Sequence, residues 1–207
     1  MSCKTLLAAL CLSLSIHIHA QTTLAPGDIA VIGFNSSFNL SGSAPVGAEE
    51  FAIVTLTDIS SGTDIKITDH GWNGTTMLSG TIQDGILLWT TTAAIPKGTV
   101  FTFTITAGAT PIVTISPNIY GTPAVTARWT SANTAGAFSN AGDQVIIYQG
   151  GTDSNPGAFI YGFNSSSSTA ASAGDWQPSA AANVDSKLPP GLTNNALLDG
   201  SVAATAI

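Results

Sequence analysis

Cysteine is nearly missing from this chain. Its 207 residues contain two, Cys3 and Cys11, and neither lies beyond residue 20. From residue 21 onward the chain can therefore form no disulfide, thiolate nucleophile, cysteine-bound zinc site or redox motif. Without such crosslinks, the stability of that region must come from a packed core.

Charge is also scarce, at 8% of the residues, with a formal net charge of -7. Beyond the first twenty residues, the basic side chains are the scattered Lys66, Lys97, Arg128 and Lys187. Because no basic cluster exists to neutralise phosphates, we expect no nucleic-acid binding. An acidic surface rich in Thr, Ser and Asn suits an extracellular protein, although negative charge also serves solubility alone.

Long apolar runs are missing after the start of the chain, so no membrane span is expected. The start itself resembles a targeting segment, with Lys4, an apolar run over residues 6–18 and a small Ala20 where cleavage would occur. We predict a signal peptide over residues 1–20 and a single domain over residues 21–207. The protein should therefore be secreted, either extracellular or at the cell surface.

Histidine is reduced to His70 once residues 1–20 are removed. It is the one candidate base, no G-x-S-x-G elbow exists, and Asp69 beside it in a strand would point to the opposite face. We interpret His70 as exposed at a turn. A hydrolase would instead need a composite carboxylate site, such as Glu50 with Asp69 or Asp58.

The signal that is present is a period of two. In "GTVFTFTITAG", Phe101, Phe103 and Ile105 alternate with Thr102 and Thr104, giving one apolar face and one row of threonines. Turn-forming residues separate this run from similar ones. The full set of predicted strands is 28–34, 51–58, 63–69, 85–91, 98–108, 111–116, 124–130, 143–148 and 158–163.

These runs predict an all-β fold, an antiparallel β-sandwich of immunoglobulin or lamin-tail character with about eight or nine strands. Strands with consecutive apolar residues, "AVIGF" and "ILLW", should be central and covered on both faces, or lie at a sandwich edge where loops fold over. Residues 165–186 should form a long surface loop pinned by Trp176. Residues 202–207 form an edge strand, or the chain is a fragment of a longer protein.

Several phrases carry a resemblance to a known group of proteins. They are "GDIAVIGFN", "EEFAIVTLTDISSGTDIKITDHGWNG", "GILLWTTTAAIPKGTVFTF", "AGDQVIIYQG", "FIYGFN" and "SKLPPGL". Their order resembles an uncharacterised family of secreted bacterial β-sandwich domains, and more remotely it is similar to lamin-tail-type domains. In the lamin-tail pattern Gly-Trp precedes "LTD", whereas here Gly71 and Trp72 follow it. The resemblance implies a sandwich fold and no established activity.

The stretch "DHGWNG" suggests a calcium site. Asp69 and Asn73 occupy the first and fifth positions of an EF-hand-like loop, but glycines stand at the third and twelfth, so it is not an EF-hand. A calcium site built from several loops could use Asp69, Asn73 and Glu50. In the alternative, each Asp or Asn caps its own turn, which we favour for Asp28 and Asp143.

Glycan binding would use exposed aromatic platforms, for which Trp72 and Trp176 are the candidates. For Trp72, closing an open end of the sandwich is an equal alternative. We therefore expect a secreted, non-catalytic binding or structural module for adhesion, surface display or accessory binding of a glycan or an extracellular protein. The alternatives are a small hydrolase with a composite carboxylate site or an accessory domain of a longer enzyme.

Overall fold

The computed structural model describes residues 20–35, 49–78, 84–106, 112–128, 138, 143–165, 176–177, 185–195 and 204–206. Each of the nine predicted runs overlaps a strand by at least five residues, and two shorter strands follow them. The strands are β1 (Ile29–Asn35), β2 (Glu49–Thr55), β3 (Asp64–Thr68), β4 (Gly85–Thr90), β5 (Val100–Thr106), β6 (Ile112–Ser116), β7 (Ala124–Arg128), β8 (Gln144–Gly151), β9 (Pro156–Asn164), β10 (Asn194–Asn195) and β11 (Ala204–Ala206).

The strands form two sheets. One has four strands in the order β1-β2-β5-β6, and the other has seven in the order β10-β11-β9-β8-β3-β4-β7. Every neighbouring pair is antiparallel. A short 3₁₀ turn, Asn118–Tyr120, connects β6 to β7 and so carries the chain from the smaller sheet to the larger one.

The main core lies between the two sheets. Alternate residues of β5 point into it, and Phe101 and Phe103 are fully buried. From the other sheet, Trp89 meets both rings edge-on, at centroid distances of 4.8 and 5.7 Å. Ile65 and Ile67 of β3 join the same core, as their spacing predicts. The predicted antiparallel β-sandwich is confirmed.

A second apolar cluster lies outside this sandwich core, on the far side of the seven-stranded sheet. In β8, Val145 and Ile147 belong to the main core, while Ile146 and Tyr148 belong to the second cluster. All four are buried, the first pair between the two sheets and the second pair under segments that precede and follow β8 in the chain. We call the covering residues the cover: Trp72, Met77, Trp176, Leu188 and Leu192.

Of the two positions predicted for strands with consecutive apolar residues, β4 has the central one and β1 the edge. In β4, Ile86, Leu87 and Trp89 are at most 1% exposed. Strand β1, however, is at the edge of its sheet, and Ile32 lies 55% exposed at an irregularity in the β1–β2 register. A bulge of this kind disrupts the ladder at an edge, so apolar content alone did not reveal the position of β1.

The chain end also differs from expectation. Ala204–Ala206 pairs with β9 on one side and β10 on the other, so it is not an edge strand. Of the predicted loop at residues 165–186, the described residues include Trp176, which is 8% exposed and packs in the second cluster, as the pinning prediction requires. Residues 1–19 of the predicted signal peptide lie outside the described residues. In the described part of the chain, no helix has the length and apolar character needed to cross a membrane.

Candidate functional site

Asp69 lies at the end of β3 and is fully buried. Its Oδ1 accepts a 2.6 Å hydrogen bond from the backbone N–H of Gly85, at the start of β4. Its carbonyl oxygen accepts a hydrogen bond from the side-chain amide of Gln144, at the start of β8. Asp69 was expected to satisfy the amides of its own turn, but it joins the ends of three neighbouring strands instead.

His70 follows Asp69 and is 4% exposed, so its interpretation as an exposed turn residue is wrong. Its backbone N–H donates to the hydroxyl of Thr68 at 3.0 Å, and that hydroxyl donates to the carbonyl of Gly85 at 2.7 Å. The physical reason is the position of β3 between β4 and β8, which keeps the residues at its end inside the structure.

Asn73 closes the tip of a small hairpin in which Trp72 pairs with Met77. Its Oδ1 accepts hydrogen bonds from the backbone N–H groups of Thr75 and Thr76, both at 2.8 Å. Gly74, between Asn73 and Thr75, has a positive φ of 101°, which glycine adopts readily. Asn73 therefore has the turn-capping role that was the alternative to calcium binding.

Gly71 is required for a different reason from Gly74. A Cβ atom there would lie 2.0 Å from the carbonyl oxygen of Asp185. The glycine thus permits a close approach of backbone to backbone. It allows the segment containing Ser186 and Lys187 to lie against the hairpin.

Trp72 and Trp176, the candidate ligand platforms, are each 8% exposed. The Trp72 ring meets Phe159 edge-on at 5.1 Å. The backbone of Trp72 is held on both sides, since its N–H donates to Ser186 Oγ at 3.0 Å and its carbonyl accepts from Lys187 N–H at 2.8 Å. Trp72 closes a core, but that core is on the outer face of a sheet rather than at an open end of the sandwich.

Glu50 lies away from Asp69. It points outward from β2 in the four-stranded sheet and accepts a 3.0 Å hydrogen bond from the hydroxyl of Thr104. Its neighbour Glu49 points inward and accepts the N–H of Phe138 at 2.6 Å, so the two side chains diverge. Asp58, the other proposed partner, accepts the backbone N–H of Lys97 at 2.7 Å. The fold therefore disperses the carboxylates that a composite hydrolase site would need.

Metal-binding geometry can be judged only for the residues that are described. Within those ranges, no three His, Cys, Asp or Glu side chains are grouped to hold a metal ion. Asp69 and Glu50 belong to different sheets, and Glu50 faces away from the other sheet. Calcium binding by Asp69, Asn73 and Glu50 remains a prediction for measurement in solution.

A set of buried polar residues at strand ends was not anticipated as a set. The residues Glu49, Asp69, Asp84, Asp143, Gln144 and Asn164 are each at most 2% exposed. Asp143 caps locally, as expected, through a 2.9 Å bond from Gln144 N–H to its Oδ1. Asp28 also caps its own turn, accepting from Ala25 N–H at 2.7 Å. The signal in the sequence was a polar residue immediately before or after each apolar run.

The open outer side of the four-stranded sheet is the other candidate surface. We call it the threonine face and define it by the outward-pointing residues of β2, β5 and β6. Cross-strand pairing aligns them in short rows, because Thr102 faces Ala52 on one side and Ser116 on the other. Its members are Glu50, Ala52, Val54, Val100, Thr102, Thr104, Ile112, Thr114 and Ser116.

Tyr148 is a buried titratable group whose pKa is clearly perturbed. Burial raises the pKa of its phenol well above the ordinary value, and the nearby negative charge of Asp153 adds to the shift. Its hydroxyl has no hydrogen-bond partner among the described residues. Lys66 lies 5.7 Å from the ring centroid and pairs with Asp153 at 2.7 Å. The phenol of Tyr148 is enclosed under the cover, so a substrate could reach it only if the cover opened.

Searches against protein-family models, curated proteins and solved structures found no match to this chain. The resemblance to secreted bacterial sandwich domains and to lamin-tail-type domains therefore stays a prediction. The surfaces that bear on function are the covered outer side of the seven-stranded sheet and the threonine face.

Proposed function

We propose that this protein is a secreted, non-catalytic binding module that contacts a protein partner through the threonine face. The observation that carries the proposal is the difference between the two outer faces. The larger sheet buries its apolar outer residues under its own loops, whereas the smaller sheet leaves Val100 and Ile112 47% and 60% exposed. Val100 pairs with Val54 at one end of the threonine face, and Ile112 lies at the opposite end, across from Thr106. Apolar side chains exposed on a sheet face are candidates for an interaction site.

The composition of the threonine face favours a protein over a glycan. A glycan site uses aromatic rings as stacking platforms, but Trp72 and Trp176 are buried under the cover. Among the described residues, the large hydrophobic side chains that are clearly exposed are all aliphatic: Ile32, Leu56, Val100, Ile112 and Ile119. Small aliphatic side chains and hydroxyls on a pleated surface suit packing against another protein.

Catalysis has weaker support. Asp69 and His70, two groups that could transfer protons, are at most 4% exposed and participate in holding strand ends together. Glu50 and Asp58 lie in separate places, where Glu50 accepts a hydrogen bond from Thr104 and Asp58 accepts one from Lys97. A hydrolase needs two such groups at one accessible position.

The test is a binding comparison between two lysine variants. Thr102→Lys places a long charged side chain in the middle of the threonine face, and Thr122→Lys makes the same change at an exposed threonine outside it. The labelled proteins are applied to an array of secreted and cell-surface proteins and to a glycan array.

We expect protein ligands that Thr102→Lys loses by about tenfold or more, as for a charge buried in an interface, and that Thr122→Lys retains. Binding to glycans alone would contradict the protein-partner proposal. Equal protein binding by both variants would show that the threonine face is not the contact surface.

A further inference from the structure

Asn73-Gly74 is the single Asn-Gly pair in the chain, and the fold places it at the exposed tip of the hairpin. The Asn73 side chain does not extend into solvent. Its Oδ1 receives two backbone N–H bonds, from Thr75 and Thr76, and its Nδ2 donates to the Thr76 hydroxyl at 3.3 Å. The amide is therefore held in one orientation beside the following peptide bond.

This orientation makes the side-chain carbonyl of Asn73 a better electrophile. Two donors at 2.8 Å withdraw electron density from the C=O bond. The same donors would stabilise the negative charge that collects on Oδ1 if a nucleophile added to Cγ. Paired backbone N–H groups aimed at one oxygen are the arrangement that stabilises tetrahedral intermediates in acyl transfer.

The nucleophile is the backbone nitrogen of Gly74. Gly74 has no side chain to hinder attack, is exposed to water, and its N–H makes no hydrogen bond to the described residues. The side chain of Lys187 lies over it: a Cβ on Gly74 would be 3.1 Å from Lys187 Cδ and 3.2 Å from Nζ. A positive charge at that position favours loss of the amide proton.

We propose that Asn73 is a self-modification site, which converts to aspartate and isoaspartate through a succinimide formed with Gly74. The amide proton of Gly74 passes to solvent, its nitrogen bonds to Asn73 Cγ, and the Cγ–Nδ2 bond breaks as ammonia leaves with a solvent proton. One water molecule then hydrolyses the ring at either carbonyl. The net change is asparagine plus water to acid plus ammonia.

The two products have different structural effects. Aspartate keeps the oxygen that caps Thr75 and Thr76 and adds a negative charge next to Lys187. Isoaspartate inserts a methylene into the backbone one residue from Trp72, which would misalign the hairpin with the segment at Ser186. Formation of isoaspartate should therefore loosen the cover and lower the melting temperature.

The experiment follows the acid products at Asn73 by peptide mass spectrometry, during incubation of the full chain at neutral pH and during incubation in urea. We expect the folded chain to convert faster than the unfolded chain by about tenfold, since one oxyanion donor contributes about 100-fold in an enclosed site and less at a surface. Asn155 serves as an internal control, because the following Pro156 has no N–H with which to attack.

Two variants test the role of Lys187. Lys187→Gln should slow the folded reaction by about two- to fivefold, the range of one exposed charge interaction, and Lys187→Arg should restore it. Melting temperatures confirm that each variant is folded. A folded chain that converts no faster than the unfolded chain would overturn the proposal. Equal rates in the two Lys187 variants would show that the positive charge of Lys187 does not accelerate the reaction.

Discussion

On the outer side of the seven-stranded sheet, Ile146 and Tyr148 lie buried beneath Trp72 and Trp176, whereas no described apolar cluster covers Thr102 on the outer side of the four-stranded sheet. The strands beneath these surfaces differ accordingly. β8 is apolar at consecutive positions, and β5 alternates between phenylalanine and threonine. The seven-stranded sheet therefore packs against an apolar cluster on each of its faces, whereas the described residues pack against only the inner face of the four-stranded sheet.

The largest expected effect tests whether the covered face is a true core. Ile146→Ala removes a fully buried side chain from the second cluster and should cost about 2–5 kcal/mol of unfolding free energy. Thr102→Ala on the threonine face should stay within about 0.5 kcal/mol. Urea unfolding measures both. Equal small losses would mean that the cover contributes little and that the two faces are energetically alike.

An intermediate effect is expected where the cover meets the hairpin. Gly71→Ala places a Cβ 2.0 Å from the carbonyl oxygen of Asp185, so the covering segment must shift, at a cost of about 1–3 kcal/mol. Fluorescence from Trp72 and Trp176 should move to the red as the cover loosens.

The matched control for that change is Gly62→Ala. Gly62 has a φ of 82°, and a Cβ atom added there would meet no other atom within 4 Å, so the change tests backbone strain without a clash. Its cost should be about 1–2 kcal/mol, with no shift in tryptophan fluorescence. A red shift in the control as well would show that the signal does not come from the cover.

The smallest effect concerns the phenol of Tyr148 and appears only at alkaline pH. Because burial raises its pKa, the unfolded chain loses this proton near pH 10 while the folded chain keeps it. Stability should therefore fall as the pH rises above 10, by about 1.4 kcal/mol per pH unit from this group.

Tyr148→Phe isolates that contribution. At neutral pH the variant should be as stable as the wild type or slightly more so, since the buried hydroxyl has no partner among the described residues. Above pH 10 it should lose less stability than the wild type, measured by urea unfolding across pH. Parallel pH curves would indicate that water reaches Tyr148 and that this part of the face is less enclosed.

Most of the architecture could be predicted because strands have a short-range signature. The period of two in "VFTFTIT" assigned Phe101 and Phe103 to the core and Thr102 to the surface, without knowledge of any partner strand. The capping roles of Asp28 and Asp143 were also local, since each accepts a backbone N–H within three residues.

The structure of the candidate site at "ITDHGWNG" was harder to predict because the residues that contact it are distant in sequence. Asp69 bonds to Gly85, and Trp72 is held by Ser186 and Lys187. The exposed interpretation of His70 failed for the same reason, since its burial comes from strands on both sides of β3. No local pattern specifies which strands will be neighbours.

The amino-acid sequence by itself determined the strands, their inward faces, the local turn caps and the shortage of charged and thiol chemistry, because each depends on a few neighbouring residues. The tertiary structure alone decided that β1 is an edge strand, that Asp69 joins three strand ends and that Trp72 and Trp176 belong to the cover. Those outcomes follow from long-range sheet order, which sets what each strand end meets and which outer face the remaining loops can reach.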